Sequence, residues 1–468
     1  LGAALVDMYV KCGDIVNARN ASDHLPVHSV VSWTALITGY AQCGHGKEAL
    51  QCYEELQRGG LKPNALTYVS ILKACSSLGE NVKGEEIHRE IIHAGLVGKD
   101  IFVNTGLVDM YAKCGAIGRA RDVFDQLQVR NVISWTALLS GYAENGCHQE
   151  VLDLFQQMED DHILPNYWTL ACVLRTCGIL CNIDKGRKLH SEAILRGFEV
   201  DPYIGNALVY MYANTGSISE SRQIFDNLQF RDIVAWNILI GSYSDCGLDK
   251  EVIRLFDEMH FHIVVPTAAT FAYVVKACSS LGLIEKGFEA HKGIIQIAAE
   301  RDPSIANCLI GLYAGCGFFS EAVHIFGQMP DKTVVSFTAL ISGYAEAGKS
   351  QEAINCYERM HDEEDNLTPD MVTLSCCLKS CGSIGAIDKG QKLHASLYAK
   401  ELAQKNVMVG NALVDMYSKC GSLSKAKEAF DKLLVRDAIS WNILIFGYTM
   451  HDHGKEAMMC FEQMQREG

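Results

Sequence analysis

SWTALITGY, residues 32–40, decides how this chain is read. It returns as SWTALLSGY from Ser134, AWNILIGSY from Ala235, SFTALISGY from Ser336 and SWNILIFGY from Ser440, at intervals of 102, 101, 101 and 104 residues. Two further strings keep step with it. ILKACSSLG from Ile71 recurs as VLRTCGILC from Val173, VVKACSSLG from Val274 and CLKSCGSIG from Cys377. ALVDMYVKCG from Ala4 recurs from Gly106, Ala207, Cys308 and Ala412. Self-similarity at a fixed period marks a repeat array, and it overrides the division into ~150-residue domains that length alone suggests.

Each module reads as two short helices. Trp33, Leu36, Ile37 and Tyr40 fall at i, i+3, i+4 and i+7, one apolar face, with Ser32 as the expected N-cap. Gly44 and Gly46 are expected to break that helix, and Ala49, Tyr53 and Leu56 mark a second one ended by Gly59 and Gly60. Thr67, Thr169, Thr270 and Thr373 are the expected caps in the next module, and Pro63, Pro165, Pro266 and Pro369 occupy one junction between modules. A module of 31 to 37 residues cannot bury an apolar face alone, so the modules must stack. The expected fold class is all-α, an α-solenoid of about fourteen helix-turn-helix units with the first and last incomplete.

Composition excludes several classes. An apolar share of 49% with 21% charged residues suits an ordered protein and excludes a disordered or collagen-like chain. The net charge of −15 excludes a nucleic-acid coat acting by bulk charge, though not a local basic stripe. No apolar run approaches the ~20 residues that span a bilayer, so no membrane partner is expected. The chain begins at Leu1 inside a repeat and ends at Gly468 inside another, and reads as a soluble internal piece of something longer. Among the 19 cysteines there is no CxxC; Cys75, Cys177, Cys278 and Cys381 recur in register, as do Cys12 and Cys114, which reads as buried packing in a reducing compartment. His88, His190, His291 and His394 also recur. The HxE that His88 and His190 open is half of a zinc deaminase signature, but PCxxC is absent, so the histidines read as structural. No phosphate loop, HExxH or nucleophile elbow occurs, and the expectation is a binding module without catalytic residues, metal or cofactor.

The repeated GYAENG-, KACSSLG- and MYAKCG-like strings closely resemble the pentatricopeptide repeat family, in particular its plant subclass of alternating P, L and S motifs. On that pattern the P motifs span 30–64, 132–166, 233–267, 334–370 and 438–468; the L motifs 65–100, 167–201, 268–302 and 371–406; the S motifs 1–29, 101–131, 202–232, 303–333 and 407–437. The resemblance implies a right-handed superhelix that binds single-stranded RNA as a monomer, one nucleotide per repeat, 5′ to 3′ along the chain. It implies work in C-to-U editing in a mitochondrion or chloroplast, with a cytidine deaminase domain beyond this stretch or supplied in trans. Two alternatives stay open: a protein-binding helical scaffold, and RNA stabilisation or splicing without editing.

The resemblance also assigns base reading to the fifth and last residues of a motif. In the P and S motifs the fifth residue is Thr34, Thr105, Thr136, Asn206, Asn237, Asn307, Thr338, Asn411 or Asn442, short side chains that donate and accept hydrogen bonds. The last residues are Asn64, Asn131, Asn166, Asp232, Thr267, Thr333, Asp370 and Asp437, whereas the L motifs carry Val69, Ala171, Ala272 and Ser375 in the fifth place. A carboxylate accepts from the ring N–H of U or G, and an amide donates to the ring nitrogen of A or C; the family rule pairs Thr with purines and Asn with pyrimidines. The expected target is 5′-ANAANUYNYGNUY-3′ from the first P motif, with the first S motif (Ala3, Ser29) left unread. Val31, Phe102, Ile133, Tyr203, Val234, Val335, Met408 and Ile439 would flank the bases, a place that Ser304 leaves polar. Two basic series in register are candidate phosphate contacts: Lys73, Arg175, Lys276 and Lys379 in the L motifs, and Lys11, Lys113 and Lys419 in the S motifs, with Asn214 and Gly315 in the other two.

Overall fold

The computed structural model describes residues 2–25, 28–198, 200–362, 367–399 and 406–467. Among them are 28 α-helices and no strand, which make fourteen consecutive pairs. The first helices of the motifs after the first begin at Val30, Ala65, Ile101, Val132, Tyr167, Pro202, Ile233, Ala268, Pro303, Val334, Met371, Val407 and Ala438. Second helices of the P motifs, such as Gly46–Arg58 and His148–Asp160, run 13 residues, whereas those of the S motifs, such as Ile117–Asp125, run 9 or 10. That difference of about one turn is why S motifs are the shorter class. Residues 363–366, within the HDEEDN stretch that lengthens the fourth P motif, lie outside the described residues.

The helix starts lie three residues earlier than the sequence pattern suggests. Ser32 is not the cap: Ser29 is, accepting from the Ser32 N–H while the Ser32 hydroxyl takes the Ser29 N–H. The same correction applies to Thr67, Thr169, Thr270 and Thr373, whose caps are Asn64, Asn166, Thr267 and Asp370. A side chain able to cap stands at each end of a three-residue interval, and the backbone puts the helix start at the outer one. Gly46 opens the second helix rather than ending the first; Gly44, at φ +80°, makes the turn.

The chain divides into two compact units, residues 1–242 and 243–468, each a stack of helical pairs. Within each unit the three kinds of junction have three different recurring contacts. From P to L the fifth-place threonine meets the threonine in the first turn of the next helix: Thr34 with Thr67 and Thr136 with Thr169 at 2.7 Å, and Thr338 with Thr373 at 2.6 Å between hydroxyl oxygens. From L to S the recurring histidine meets a tyrosine hydroxyl, His88 Nδ1 with Tyr111 and His190 with Tyr212 at 2.9 Å, His291 with Tyr313 at 2.7 Å and His394 with Tyr417 at 2.8 Å. From S to P a buried phenylalanine packs edge-on to the first-helix aromatic, as in Phe124–Trp135, Phe225–Trp236 and Phe430–Trp441, with centroids 4.6 to 4.7 Å apart. Close approach also demands glycine: a methyl group at Gly186 would lie 2.5 Å from Met211 Sδ.

Candidate nucleic-acid interface

The first turn of each first helix does two things at once. Its orphan N–H groups require a capping acceptor, and the last residue of the preceding motif supplies it. Asn64 Oδ1 accepts from Thr67 N at 2.8 Å, Asn131 Oδ1 from Ser134 N at 2.9 Å and Asn166 Oδ1 from Thr169 N at 2.8 Å. Asp232 Oδ1 takes Ala235 N at 2.8 Å, while Asp370 and Asp437 take Thr373 N and Ser440 N at 2.7 Å. Thr267 and Thr333 cap in the same way. The cap settles which way each amide faces: the oxygen lies on the helix, so the atom left for a ligand is an N–H donor in asparagine and an oxygen acceptor in aspartate.

The fifth residue stands one turn further on. Asn206 Nδ2 lies 3.1 and 3.2 Å from the two oxygens of Asp232, Asn411 Nδ2 lies 3.3 Å from Asp437 Oδ1, and the Thr338 hydroxyl lies 3.2 Å from Asp370 Oδ2. Thr34 and Thr136 reach their motif partners through one hydroxyl: Thr67 bonds Thr34 and Asn64, and Thr169 bonds Thr136 and Asn166. Thr105 and Asn131 share a cavity with Thr136 and Asn166. Asn307 Oδ1 is buried without a partner. Asn237 is fifth in helix Ile233–Asp245, and Asn442 is exposed at the fifth place of helix Ala438–Met450. Hydrogen bonds from the Ser440 backbone and hydroxyl, with a further one from Asn411, hold the Asp437 carboxyl below the usual range.

Large apolar side chains stand out of the same surface. Val31, Phe102, Ile133, Tyr203, Val234, Val335, Met408 and Ile439 are all exposed, Phe102 to 68%. Each is the second residue of a first helix. The L motifs contribute Leu66, Trp168 and Val372 at that place, also exposed, so the second-place rule extends to this class. Trp168 and Tyr203 approach to 4.3 Å between centroids.

Two cavities bring these groups together in the N-terminal unit. One, of about 680 Å³, is lined by Phe102, Thr105, Asn131, Ile133, Thr136 and Asn166 together with Lys73 and Lys113. The other, of about 890 Å³, is lined by Trp168, Tyr203, Asn206, Asp232 and Val234 together with Arg175, whose guanidinium lies 5.7 Å from the Tyr210 ring. All seven basic candidates are exposed, Lys276 and Lys379 included. Lys11, Lys113 and Lys419 are each paired with an aspartate one turn earlier, Asp7, Asp109 and Asp415, at 2.7 to 2.9 Å. Where the lysine is replaced by Asn214 or Gly315, the aspartate is replaced too, by Tyr210 or Gly311. Ion pairs this close to solvent hold only ~0–1 kcal/mol.

Burial pushes the thiol of Cys75 up to about 12 and those of Cys177, Cys278 and Cys381 up to about 11, which keeps them protonated and buried. Cys12 is exposed and Cys114 half-buried, so the buried-packing expectation fails for these two; each directly follows the end of a first helix. Among the described residues no group of three His, Cys, Asp or Glu side chains is placed to hold a metal, and no helix is long and apolar enough to cross a membrane.

A model of the PPR repeat family matches residues 28–77, 130–178, 231–280 and 332–383, and a PPR repeat model matches 304–334, 411–437 and 439–468. The chain belongs to the PPR repeat family. A chloroplastic pentatricopeptide repeat-containing protein of Arabidopsis thaliana is 33% identical over 468 residues, all of this chain and 75% of the relative. A second chloroplastic PPR protein of that plant is 34% identical over 465 residues, 99% of this chain and 53% of the relative. The crystal structure of the maize PPR protein PPR10 aligns with a TM-score of 0.50 and 18% identity, covering 100% of this chain and 68% of that one, which shows the shared fold. The chain spans between 53% and 75% of the PPR relatives it matches.

Proposed function

We propose that this PPR array binds single-stranded RNA sequence-specifically, one base per repeat, with the fifth and last residues of the P and S motifs as base readers. The observation that carries the reading is the meeting of Asn206 with Asp232, whose sequence separation of 26 residues closes to 3.1 Å beside exposed Tyr203 and Arg175. The cap logic supplies the discrimination. Asn64, Asn131 and Asn166 keep an N–H for the ring nitrogen of A; Asp232 and Asp437 keep an oxygen for the N3–H of U, and Asp370 keeps one for the N1–H of G. Thr267 and Thr333 leave their motifs reading a pyrimidine through Asn237 and Asn307. The exposed apolar residues flank the bases, a contact worth ~1–3 kcal/mol where aromatic. Lys73, Arg175, Lys276, Lys379, Lys11, Lys113 and Lys419 serve the phosphates.

The role that fits such an array is to position an organellar transcript for C-to-U editing, with the deaminase acting in cis or in trans. The P, L and S cycle supports this, as do the chloroplastic and mitochondrial relatives. Fluorescence anisotropy with the 13-mer 5′-ANAANUYNYGNUY-3′, a scrambled RNA and the matching DNA tests the binding. Selective RNA binding, weakened by Asn206→Thr and restored when position 6 is changed from U to G, is the expected result. Equal weak binding to all oligonucleotides would overturn it in favour of a protein-binding scaffold.

A further inference from the structure

The residue before each reader differs by class. In P motifs it is proline, as in Pro63-Asn64 and Pro165-Asn166; in S motifs it is a cation, Arg130-Asn131, Arg231-Asp232, Lys332-Thr333 and Arg436-Asp437. Each cation lies over the phenylalanine of its own S-motif second helix. Arg130 is 5.1 Å from the Phe124 ring, Arg231 5.2 Å from Phe225, Lys332 5.6 Å from Phe326 and Arg436 5.0 Å from Phe430. Those rings are the buried ones that pack on the next first helix. The guanidiniums also donate to carbonyls at the end of the second helix: Arg231 Nε to Phe225 O at 3.2 Å and Nη2 to Asp226 O at 2.7 Å, and Arg436 Nη2 to Asp431 O at 3.0 Å. Arg130 lies 3.5 Å from Asp125 and 3.7 Å from Asp161 at the end of the following P motif's second helix.

We infer that this cation is a positioning residue for base reading in S motifs: it clamps the connecting loop to the second helix and so fixes the capping reader that follows it. Proline restricts the backbone at the corresponding place covalently, by locking φ. The S motifs reach the same end with hydrogen bonds and a ring face, which also tie the reader to the junction packing. The clamp rests on the base reading proposed above and deepens it.

The test compares wild type, Arg231→Gln and Arg231→Lys on 13-mers varied at position 6, read by Asn206 and Asp232, and at position 4, read by Thr136 and Asn166. Wild type should prefer the matched base at each position by about tenfold. Arg231→Gln should bring the preference at position 6 to within about twofold of none, leave position 4 unchanged and keep the far-UV circular dichroism of wild type; Arg231→Lys should keep most of it, since Lys332 lies over the Phe326 ring at the same place. Preference retained at position 6 in Arg231→Gln, or lost equally at both positions, overturns the clamp while leaving the base reading standing. A wild type that prefers no base at either position overturns the reading itself, and the clamp with it. Arg436→Gln, read at position 12, repeats the comparison at an independent site should Arg231→Gln fail to fold.

Discussion

Changing Asn166 to Asp separates two duties of one side chain. Its Oδ1 accepts the Thr169 N–H at 2.8 Å and the Thr169 hydroxyl at 2.9 Å, and an aspartate oxygen does the same. Asn and Asp are about equal as N-caps, so stability should move by no more than ~0.3 kcal/mol, whereas Asn166→Ala should cost about 1 kcal/mol. The other end of the group changes from an N–H donor to an oxygen acceptor. Against A at position 4, two acceptors then face each other, a mismatch of ~1–3 kcal/mol or roughly 5- to 150-fold in Kd. Against G, the N1–H gains a carboxylate, the combination that Thr338 and Asp370 already present. Anisotropy titrations with 13-mers carrying A or G at position 4, run beside thermal unfolding, should show the preference inverted and the melting curve unmoved. If the preference for A survives with an unchanged melting curve, the donor-and-acceptor assignment derived from the cap is wrong.

Hydrogen bonds from Ser440 hold the Asp437 carboxyl below its ordinary value, so it stays ionised on descending through mild acid; the preference for U at position 12 should be flat from about pH 8 to pH 5, and a decline in that window would contradict the assignment. Burial lowers the imidazoles of His88 and His394 beneath 6.5, so the unfolded chain takes up protons first. Their stabilisation is complete above that value and lost as pH falls through the folded one, and Tm should be lower at about pH 5.5 than at pH 7.5, a slope that the double His88→Gln, His394→Gln variant flattens. Brief alkylation near pH 7.5, mapped by mass spectrometry, should modify exposed Cys12 and Cys43 and spare buried Cys75 and Cys177; equal labelling of Cys75 and Cys12 would show the packing to be looser than described.

Helix content and module order were legible because apolar residues such as Trp33, Leu36 and Ile37 repeat at helical spacing and the whole pattern repeats again. Helix starts were not, since Ser29 and Ser32 are both competent caps and only backbone geometry ranks them. Side-chain class singled out Thr34 and Asn206, but the approach of Asn206 to Asp232 depends on how a first helix lies beside the next one, which no local pattern encodes. The Asp109–Lys113 pairing was readable from its i, i+4 spacing. Trp168 needed only the same second-place rule applied to an L motif. The clamp at Arg231 was hidden because an arginine before an aspartate is unremarkable until the Phe225 ring is seen beneath it.

The double duty of the capping residue bounds what such an array could ever be taught to recognise. Because the side chain that faces the nucleotide must also start a helix, the vocabulary at that place shrinks to Ser, Thr, Asn and Asp, the only residues whose short oxygens reach the first-turn N–H groups. An engineer recoding Asp232 or Asn64 therefore works with a four-letter alphabet set by folding. A substitution outside it, however well matched to a base, would loosen the start of the next helix by about 1 kcal/mol.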